Sequence, residues 1–523
     1  MANRNQEKKK SGWARQIIKW IGLGLLTLLL ILALICQTPW KIITLPAVFL
    51  ASCTLLPRRA RRWFWLGVGA VVLVLIIWIF LPENNEGWQP YKYNFDKELK
   101  KLQTQYSIPP EENAAIIYIQ LMESYDANDY YIFDIVDSDT DTFDKILQNP
   151  WLSEDYPEIA DRLRHIQGAI ETLIKISETK QCVFPLAEPS NPESQSKRNS
   201  AVRRWTRLLI IAINNDLAEE RIDKAIQKFV TILQMARHQY QQPATSDLLV
   251  GIGIELLATQ HLNRIVVESQ AMDEHLNIIE KALPDIKNNW NTVFSKTIEY
   301  DKLQAKTELT HYYEINTKGR TRLSRDPLAG LRSNFSEFLQ NTEIDDDQTR
   351  ATLENIAYPS YLRKKLIKAE TILRWFTMPS DPEKAAEILD TCLDKYYVMT
   401  QPDFDWTKQP QKIDSLFTRR NINRFRFNYK HFAQHIANMS EEGFYSTHDL
   451  YLRGLTLSRG SKLLIAIKQY KIKHGDWPLN LDSIKSAAPA EAFIDPVTGN
   501  PLEYENHGER FSLYGETANI WPK

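Results

Sequence analysis

Residues 247–268 read DLLVGIGIELLATQHLNRIVVE and are the most apolar stretch of the polar region that follows residue 82. The run from Leu248 to Ile254 contains no polar side chain. Glu255, His261 and Arg264 follow soon afterwards, so the run is too short to cross a bilayer as a helix. The stretch therefore predicts the central helix of a folded, mainly helical domain, with Gly251 and Gly253 as packing positions.

Glu255 directly follows this apolar run and is the interior carboxylate of greatest interest. The favoured interpretation is structural, with an arginine of an earlier helix, such as Arg203 or Arg207, as the ion-pair partner. The alternative is a catalytic acid whose pKa is raised by burial. The sequence itself assigns no catalytic residue.

The surrounding region, from Glu83 to about Tyr445, also has a helical pattern. Its glycine content is low, since the whole chain has only 18 glycines, and strand-like alternation is scarce. Two sets of apolar residues recur at helical spacing. One set is Ile159, Leu163, Ile166, Ile170 and Leu173, and the other is Ile222, Ile226, Phe229, Leu233 and Ala236.

Loops and a helix start are also predicted within this region. Polar segments at Pro185–Ser200, Asn316–Gln348 and Thr400–Lys412 are expected to be loops. Ser380-Asp381-Pro382-Glu383 has the pattern of a capping box, in which Ser380 and Glu383 bond to each other's backbone N–H groups at the start of a helix.

Three apolar runs in residues 17–82 predict a membrane domain, with spans at about 17–36, 42–56 and 63–81. The third contains nineteen uncharged residues, which match the thickness of a bilayer at about 1.5 Å per residue. It follows a cluster of four arginines at 58–62, which the positive-inside rule holds in the cytoplasm together with the basic tail at 1–16. The chain between them must therefore cross twice, although 42–56 alone also has the length of a re-entrant or interfacial segment.

The charge distribution supports this topology. Residues 1–62 carry eleven Lys/Arg and one Asp/Glu, whereas the remainder carries 53 Lys/Arg and 64 Asp/Glu. The acidic remainder gives no support for nucleic-acid binding, which needs clustered positive charge. With the N-terminus in the cytoplasm, everything after residue 82 is expected outside it. A disulfide between Cys182 and Cys392 is permitted there, but a single candidate pair leaves the question open.

The pattern changes after Gly443, where a long helix is predicted. Ser446 or Thr447 is suited to cap a helix that runs to His474. Gly475 is placed to end this helix in the left-handed conformation, and Pro478 prevents it from resuming.

A small α+β module is completed by the residues that follow this helix. A short helical turn is predicted at Leu481–Ile484, and a tight turn at Asp495–Gly499. Two pairs of alternating apolar residues, Leu502 and Tyr504, then Phe511 and Leu513, flank Asn506-His507-Gly508 and predict a β-hairpin.

Residues 470–514 resemble the soluble half of the major pseudopilins of type II secretion. The matching positions are Tyr470, Gly475, Trp477-Pro478, Leu481, Ile484, Asp495-Pro496, Gly499, Pro501-Leu502, Tyr504, Phe511 and Leu513-Tyr514. The whole layout is similar to that of a group of uncharacterised bacterial membrane proteins of planctomycete-like lineages that end in this module, as are residues 233–262 and 113–115. The resemblance implies the fold of the module. The pseudopilin leader and acidic calcium-binding loop find no match, so we expect neither filament assembly nor a calcium site.

Two patterns suggest metal sites but are incomplete. His431 and His435 lie four residues apart on a predicted helix, but the glutamate of a zinc protease motif does not lie between them. Asp137, Asp139 and Asp141 imitate the start of a calcium loop, although its glycine and bidentate glutamate are replaced by threonine and glutamine. A solvated helix face and a polar loop are the favoured interpretations. We predict no metal site or cofactor site, and the sequence indicates no particular small-molecule ligand.

The sequence thus predicts a mainly α protein with four parts: a cytoplasmic basic tail (1–16), a membrane domain (17–82), a helical extracytoplasmic domain (83–445) and a pseudopilin-like module (446–523). It is expected in the bacterial inner membrane as a binding or scaffold protein, related to secretion or pili, with envelope or secretion proteins as partners. The alternative is an envelope hydrolase that uses Glu255 or the His431/His435 pair. A deep pocket with converging carboxylates or histidines would favour the hydrolase, and a grooved apolar surface would favour binding.

Overall fold

The computed structural model describes residues 87–124, 140–189, 193–268, 271–285, 287–307, 309, 312–324, 381–408, 430–516 and 518–521. This part of the chain is mainly helical with small sheets, as predicted. None of its helices combines the length and apolar character needed to cross a membrane. The three spans predicted within residues 17–81 lie outside the described residues.

The elements follow one another in this order. The helices are α1 (Asp96–Gln105), α2 (Ala114–Ser124), α3 (Thr140–Gln148), α4 (Pro157–His165), α5 (Gln167–Glu178), α6 (Glu193–Ala218), α7 (Ile222–Tyr240), α8 (Thr245–Glu268), α9 (Asp273–Ala282), α10 (Trp290–Ser295), α11 (Ile298–Thr307), α12 (Pro382–Leu393), α13 (Lys395–Met399) and α14 (Lys430–His474). The strands are β1 (Trp88–Pro90), β2 (Tyr313–Asn316), β3 (Thr321–Leu323), β4 (Glu503–Asn506), β5 (Phe511–Tyr514) and β6 (Asn519–Trp521).

The chain divides into two compact units, and each is discontinuous in sequence. The first comprises residues 1–93, 305–393 and 409–439, and the second comprises residues 94–304, 394–408 and 440–523.

The described part of the first unit contains an antiparallel sheet in the order β1-β2-β3. β3 occupies residues within the predicted loop at 316–348, so the loop prediction is wrong for Thr321–Leu323, whereas the β2–β3 turn before it agrees with the prediction. The turn is stabilised locally, because Asn316 Oδ1 accepts hydrogen bonds from the N–H groups of Lys318 and Arg320 and Gly319 adopts a positive φ of 73°.

The start of α12 differs in detail from the predicted capping box. The helix begins at Pro382, and Asp381 Oδ1 accepts a hydrogen bond from Glu383 N at 3.0 Å. Asp381 therefore takes the capping role that the sequence assigned to Ser380, which lies outside the described residues. Proline at the first helical position needs no hydrogen-bond acceptor, and this explains why the helix begins there.

The core of the second unit is built around α6, α7 and α8, which pack against one another. α8 begins two residues before the predicted Asp247 and is buried along most of its length, as expected for a central helix. Gly251 makes its close packing on α7 possible, since a Cβ atom there would lie 3.1 Å from the carbonyl oxygen of Ala236.

The two apolar stripes differ in outcome. The stripe that starts at Ile222 lies on a single helix, α7, as predicted. The stripe from Ile159 to Leu173 is buried or half-buried, but two helices, α4 and α5, carry it, with a break at Ile166. In the predicted loop at 185–200, α6 already begins at Glu193.

The C-terminal part of this unit confirms the predicted turns and corrects the helix that precedes them. α14 begins at Lys430 and runs without a break through residues 445 and 446, so it does not begin at Ser446 or Thr447. Thr447 is inside the helix, where its hydroxyl donates a hydrogen bond to Gly443 O at 2.7 Å. Gly475 has the positive φ expected at the helix end, and its N–H donates to Lys471 O at 2.8 Å.

The predicted hairpin is present as β4 and β5, with Tyr504 opposite Leu513. A third strand, β6, pairs with β5 and was not predicted. Its Ile520 lies so close to α14 that a Cβ atom at Gly460 would come within 2.5 Å of it. Asn263 of α8 donates a hydrogen bond to Ile520 O at 3.1 Å, and Ser461 donates to Asn263 Oδ1 at 2.6 Å.

Trp477 packs between the end of α14 and the hairpin. Its ring centroid is 4.6 Å from that of Phe511, and its indole N–H donates to Glu509 O at 3.0 Å. The ammonium of Lys471 lies 3.9 Å above the ring. Trp477 is buried and joins the helix end to the hairpin.

Candidate binding groove

A groove with a volume of about 490 Å³ lies between α6 and α8, within the second unit. We call it the α6–α8 groove. It is lined by Arg203, Thr206, Arg207, Ser246, Leu249, Val250, Gly253, Ile254 and Leu257.

The α8 side of the groove follows from helical periodicity. Its residues start at Ser246 and recur at intervals of three and four up to Leu257, so they share one face over three turns, or roughly 16 Å. α8 is apolar on more than one side, and only part of this surface is covered by α7. Leu249 remains 37% exposed, whereas Val250 and Ile254 are buried and form the floor.

Gly253 leaves space in the middle of this face. No atom lies within 4 Å of the position that a Cβ would occupy there, in contrast to the crowded Gly251 two residues earlier. The interpretation of both glycines as packing positions is therefore right for Gly251 and wrong for Gly253. At Gly253 the backbone of α8 is accessible from the groove.

Two arginines give the α6 side its charge. Arg203 and Arg207 lie one turn apart and are exposed, and neither forms an ion pair with any described residue. Arg198 on the same helix behaves differently, because it is buried and bonds to Asp247 at 2.6 Å. The lining residues include no acidic side chain, so the groove combines an apolar floor with a positively charged edge.

Glu255 does not pair with either arginine, so the predicted ion pair is wrong. Two residues correspond to about 200° around a helix, and Glu255 therefore points away from the face that carries Gly253. Its carboxylate accepts hydrogen bonds from Tyr240 OH at 2.7 Å and Ser458 Oγ at 3.0 Å. Burial raises the pKa of Glu255, while these hydrogen bonds and the charge of Arg237 act in the opposite direction.

A buried polar network holds the N-terminal end of α8, where the groove begins. Asp247 receives hydrogen bonds from Arg198 and from Gln195, and Gln195 also reaches Ser246 Oγ at 3.0 Å. Asp301 accepts hydrogen bonds from the backbone N–H and the hydroxyl of Thr245. These partners are about 50 positions apart in sequence, and no local motif indicates them.

The remaining site candidates are only partly within the described residues. His431 and His435 lie on α14, a helix as predicted, but their side chains are not described. Asp137 and Asp139 lie outside the described residues. Among the residues that were described, no cluster of three or more His, Cys, Asp or Glu side chains is arranged to hold a metal ion.

Cys182 and Cys392 are not joined by a disulfide bond. Cys182 is fully buried, and its burial raises the pKa of the thiol. A buried thiol of this kind behaves as a small apolar side chain and is not a nucleophile.

Comparison with known proteins gives no relative: no protein-family model, curated protein or solved structure matches the chain. The function is therefore inferred from the α6–α8 groove and from the sequence pattern.

Proposed function

We propose that this protein is a membrane-anchored, extracytoplasmic binding protein of the bacterial envelope, and that it holds a partner in the α6–α8 groove. The anchor is the set of apolar runs at 17–36, 42–56 and 63–81, which we propose as transmembrane helices. The C-terminal residues 446–523 are proposed as a pseudopilin-like module, which links the protein to secretion or pilus components.

One observation carries this proposal: the described residues leave a groove of about 490 Å³ open along one face of the central helix of the second unit. Concave sites with apolar walls and a few polar groups are the usual places where proteins bind ligands and partners. Leu249 contributes a partly exposed leucine, and Gly253 keeps the middle of the face open. These features suit a partner that covers the face.

The groove offers little to a hydrolase. Among the described residues that line it, none is a carboxylate, histidine or cysteine that would act as acid, base or nucleophile. Glu255, which the hydrolase alternative would use, has its carboxylate hydrogen-bonded to two hydroxyl groups and does not line the groove. Binding is therefore the function that we propose.

A photo-crosslinking experiment in the cells that naturally make the protein tests this function. A benzophenone amino acid replaces Leu249 in the full-length chain, and Leu479, which is 83% exposed and lies elsewhere, is the control position. We expect a discrete crosslinked product from position 249, absent from position 479, and abolished when Gly253→Trp fills the groove. Absence of a product from position 249, or an equal product from position 479, would refute the proposed function.

A further inference from the structure

We propose that the partner held by the α6–α8 groove is an amphipathic helix of another protein, with carboxylates along the edge that faces Arg203 and Arg207. This inference depends on the proposed function, since it names the chemistry of the partner at the same groove. It is derived from the shape of the groove and from its charge.

The shape of the groove suits a helix. The α8 face repeats at intervals of three and four residues over three turns, which is the pattern that an amphipathic helix matches with its own apolar side. Helix axes pack 8–10 Å apart, and a small residue at the crossing point lets them come closer. Gly253, with empty space in front of it, is such a residue in the middle of the face. An extended acyl chain in an open groove would keep one side in water, whereas a docked helix turns its polar side outward.

The charge of the groove selects the sign of the partner. Arg203 and Arg207 are exposed, lie one turn apart and form no ion pair with the described part of the chain. The described residues that line the groove include no acidic side chain, and Asp247 near its end is already paired with Arg198. Two glutamates or aspartates, three or four residues apart on the docking helix, would match the two arginines.

A synthetic peptide provides a direct probe. It has about 18 residues, with leucines on one helical face and two glutamates one turn apart beside that face; a matched peptide carries lysines in place of the glutamates. Fluorescence anisotropy measures the binding of each peptide to the detergent-solubilised full-length chain. We expect the glutamate peptide to bind about ten-fold more tightly, as two exposed ion pairs allow, and this preference should weaken at high salt.

Charge reversal makes the test independent of folding. Arg203→Glu combined with Arg207→Glu should weaken the glutamate peptide and strengthen the lysine peptide, which loss of folding would not do. Arg453→Glu with Lys224→Glu is the control, since it changes the net charge equally at two exposed positions outside the groove. Gly253→Trp should abolish the binding of both peptides.

Three outcomes would overturn the inference. The first is equal binding of the two peptides. The second is a preference that Arg203→Glu with Arg207→Glu leaves unchanged. The third is displacement of the glutamate peptide by phosphatidylglycerol vesicles but not by phosphatidylcholine vesicles, when this displacement needs both Arg203 and Arg207. Such a result would assign the groove to a lipid. If position 249 still gives its crosslinked product in any of these cases, the inference fails while the proposed function stands; loss of that product would refute both.

Discussion

The two glycines of α8 lead to a sharp prediction about stability, since they are chemically identical and lie in different surroundings. Gly251 and Gly253 are two residues apart in the interior of one helix. Replacing either by alanine gains about 0.5–1 kcal/mol from helix propensity and reduced freedom of the unfolded chain. Any difference between the two variants must therefore come from packing.

At Gly253 the added methyl group meets nothing within 4 Å, so the full gain should appear. At Gly251 it would lie 3.1 Å from Ala236 O, Gln239 Cβ and Tyr240 Cδ1. The first of these belongs to the backbone of α7, and Tyr240 is held by its hydrogen bond to Glu255. Because these neighbours resist displacement, overpacking should cost about 1–3 kcal/mol. Gly251→Ala is thus expected to destabilise the protein by up to about 2 kcal/mol, whereas Gly253→Ala stabilises it.

Thermal unfolding of the detergent-solubilised full-length chain, followed by far-ultraviolet circular dichroism, measures the difference. A change of 1 kcal/mol moves Tm by about 2–4 °C in a domain of 150–250 residues, so the two variants should lie on opposite sides of the wild type. A Gly251→Ala variant that melts at or above the wild-type temperature would show that α7 moves away without cost. A Gly253→Ala variant that melts below it would show that the groove is filled at this position.

Three further predictions concern pH, the C-terminal module and topology. Burial raises the pKa of Asp301 from 3.8 to about 6, so its ionisation destabilises the fold above about pH 6, and this cost disappears as the pH falls towards 3.8. Asp301→Asn should flatten the pH profile of the unfolding free energy between these two values. An unchanged profile would contradict the raised pKa of Asp301. Trp477→Ala should cost about 3–5 kcal/mol and make the C-terminal fragment selectively sensitive to limited proteolysis, whereas unaltered protection would argue against its role in joining helix and hairpin. A cysteine-accessibility scan should place Arg59 in the cytoplasm and Trp40 and Trp88 outside, and a cytoplasmic Trp88 would overturn the proposed localisation.

The sequence predicts those elements whose signals are local. α7 follows from apolar periodicity, α8 follows from its unbroken apolar run, and the end of α14 follows from Gly475. The start of α14 was mispredicted because Thr447 is a good capping residue by type. In the structure its hydroxyl donates a hydrogen bond to Gly443 O one turn earlier, inside a continuous helix. A threonine in a sequence is equally compatible with this bond and with a capping role.

Features that depend on distant partners were missed. β6 is only three residues long, and Ile520 is fixed by Gly460 and Asn263, which belong to two different helices. The groove was missed for a related reason. The sequence indicates that Arg203 and Arg207 lie near α8. Whether they reach Glu255 depends on which face of α8 is turned towards α6, and the packing of α8 on α7 determines this.

The hydrogen bond between Asn263 and Ile520 has a consequence for the order of events during synthesis. Its two ends are 257 positions apart, and the 305–393 segment of the other unit is translated between them. α6, α7 and α8 therefore leave the ribosome long before the strand that satisfies Asn263 exists. Contacts of such long range close late and slowly. During that interval the Asn263 amide is bonded only to water and the apolar end of α8 is exposed, so this is the stage at which the region is most open to aggregation.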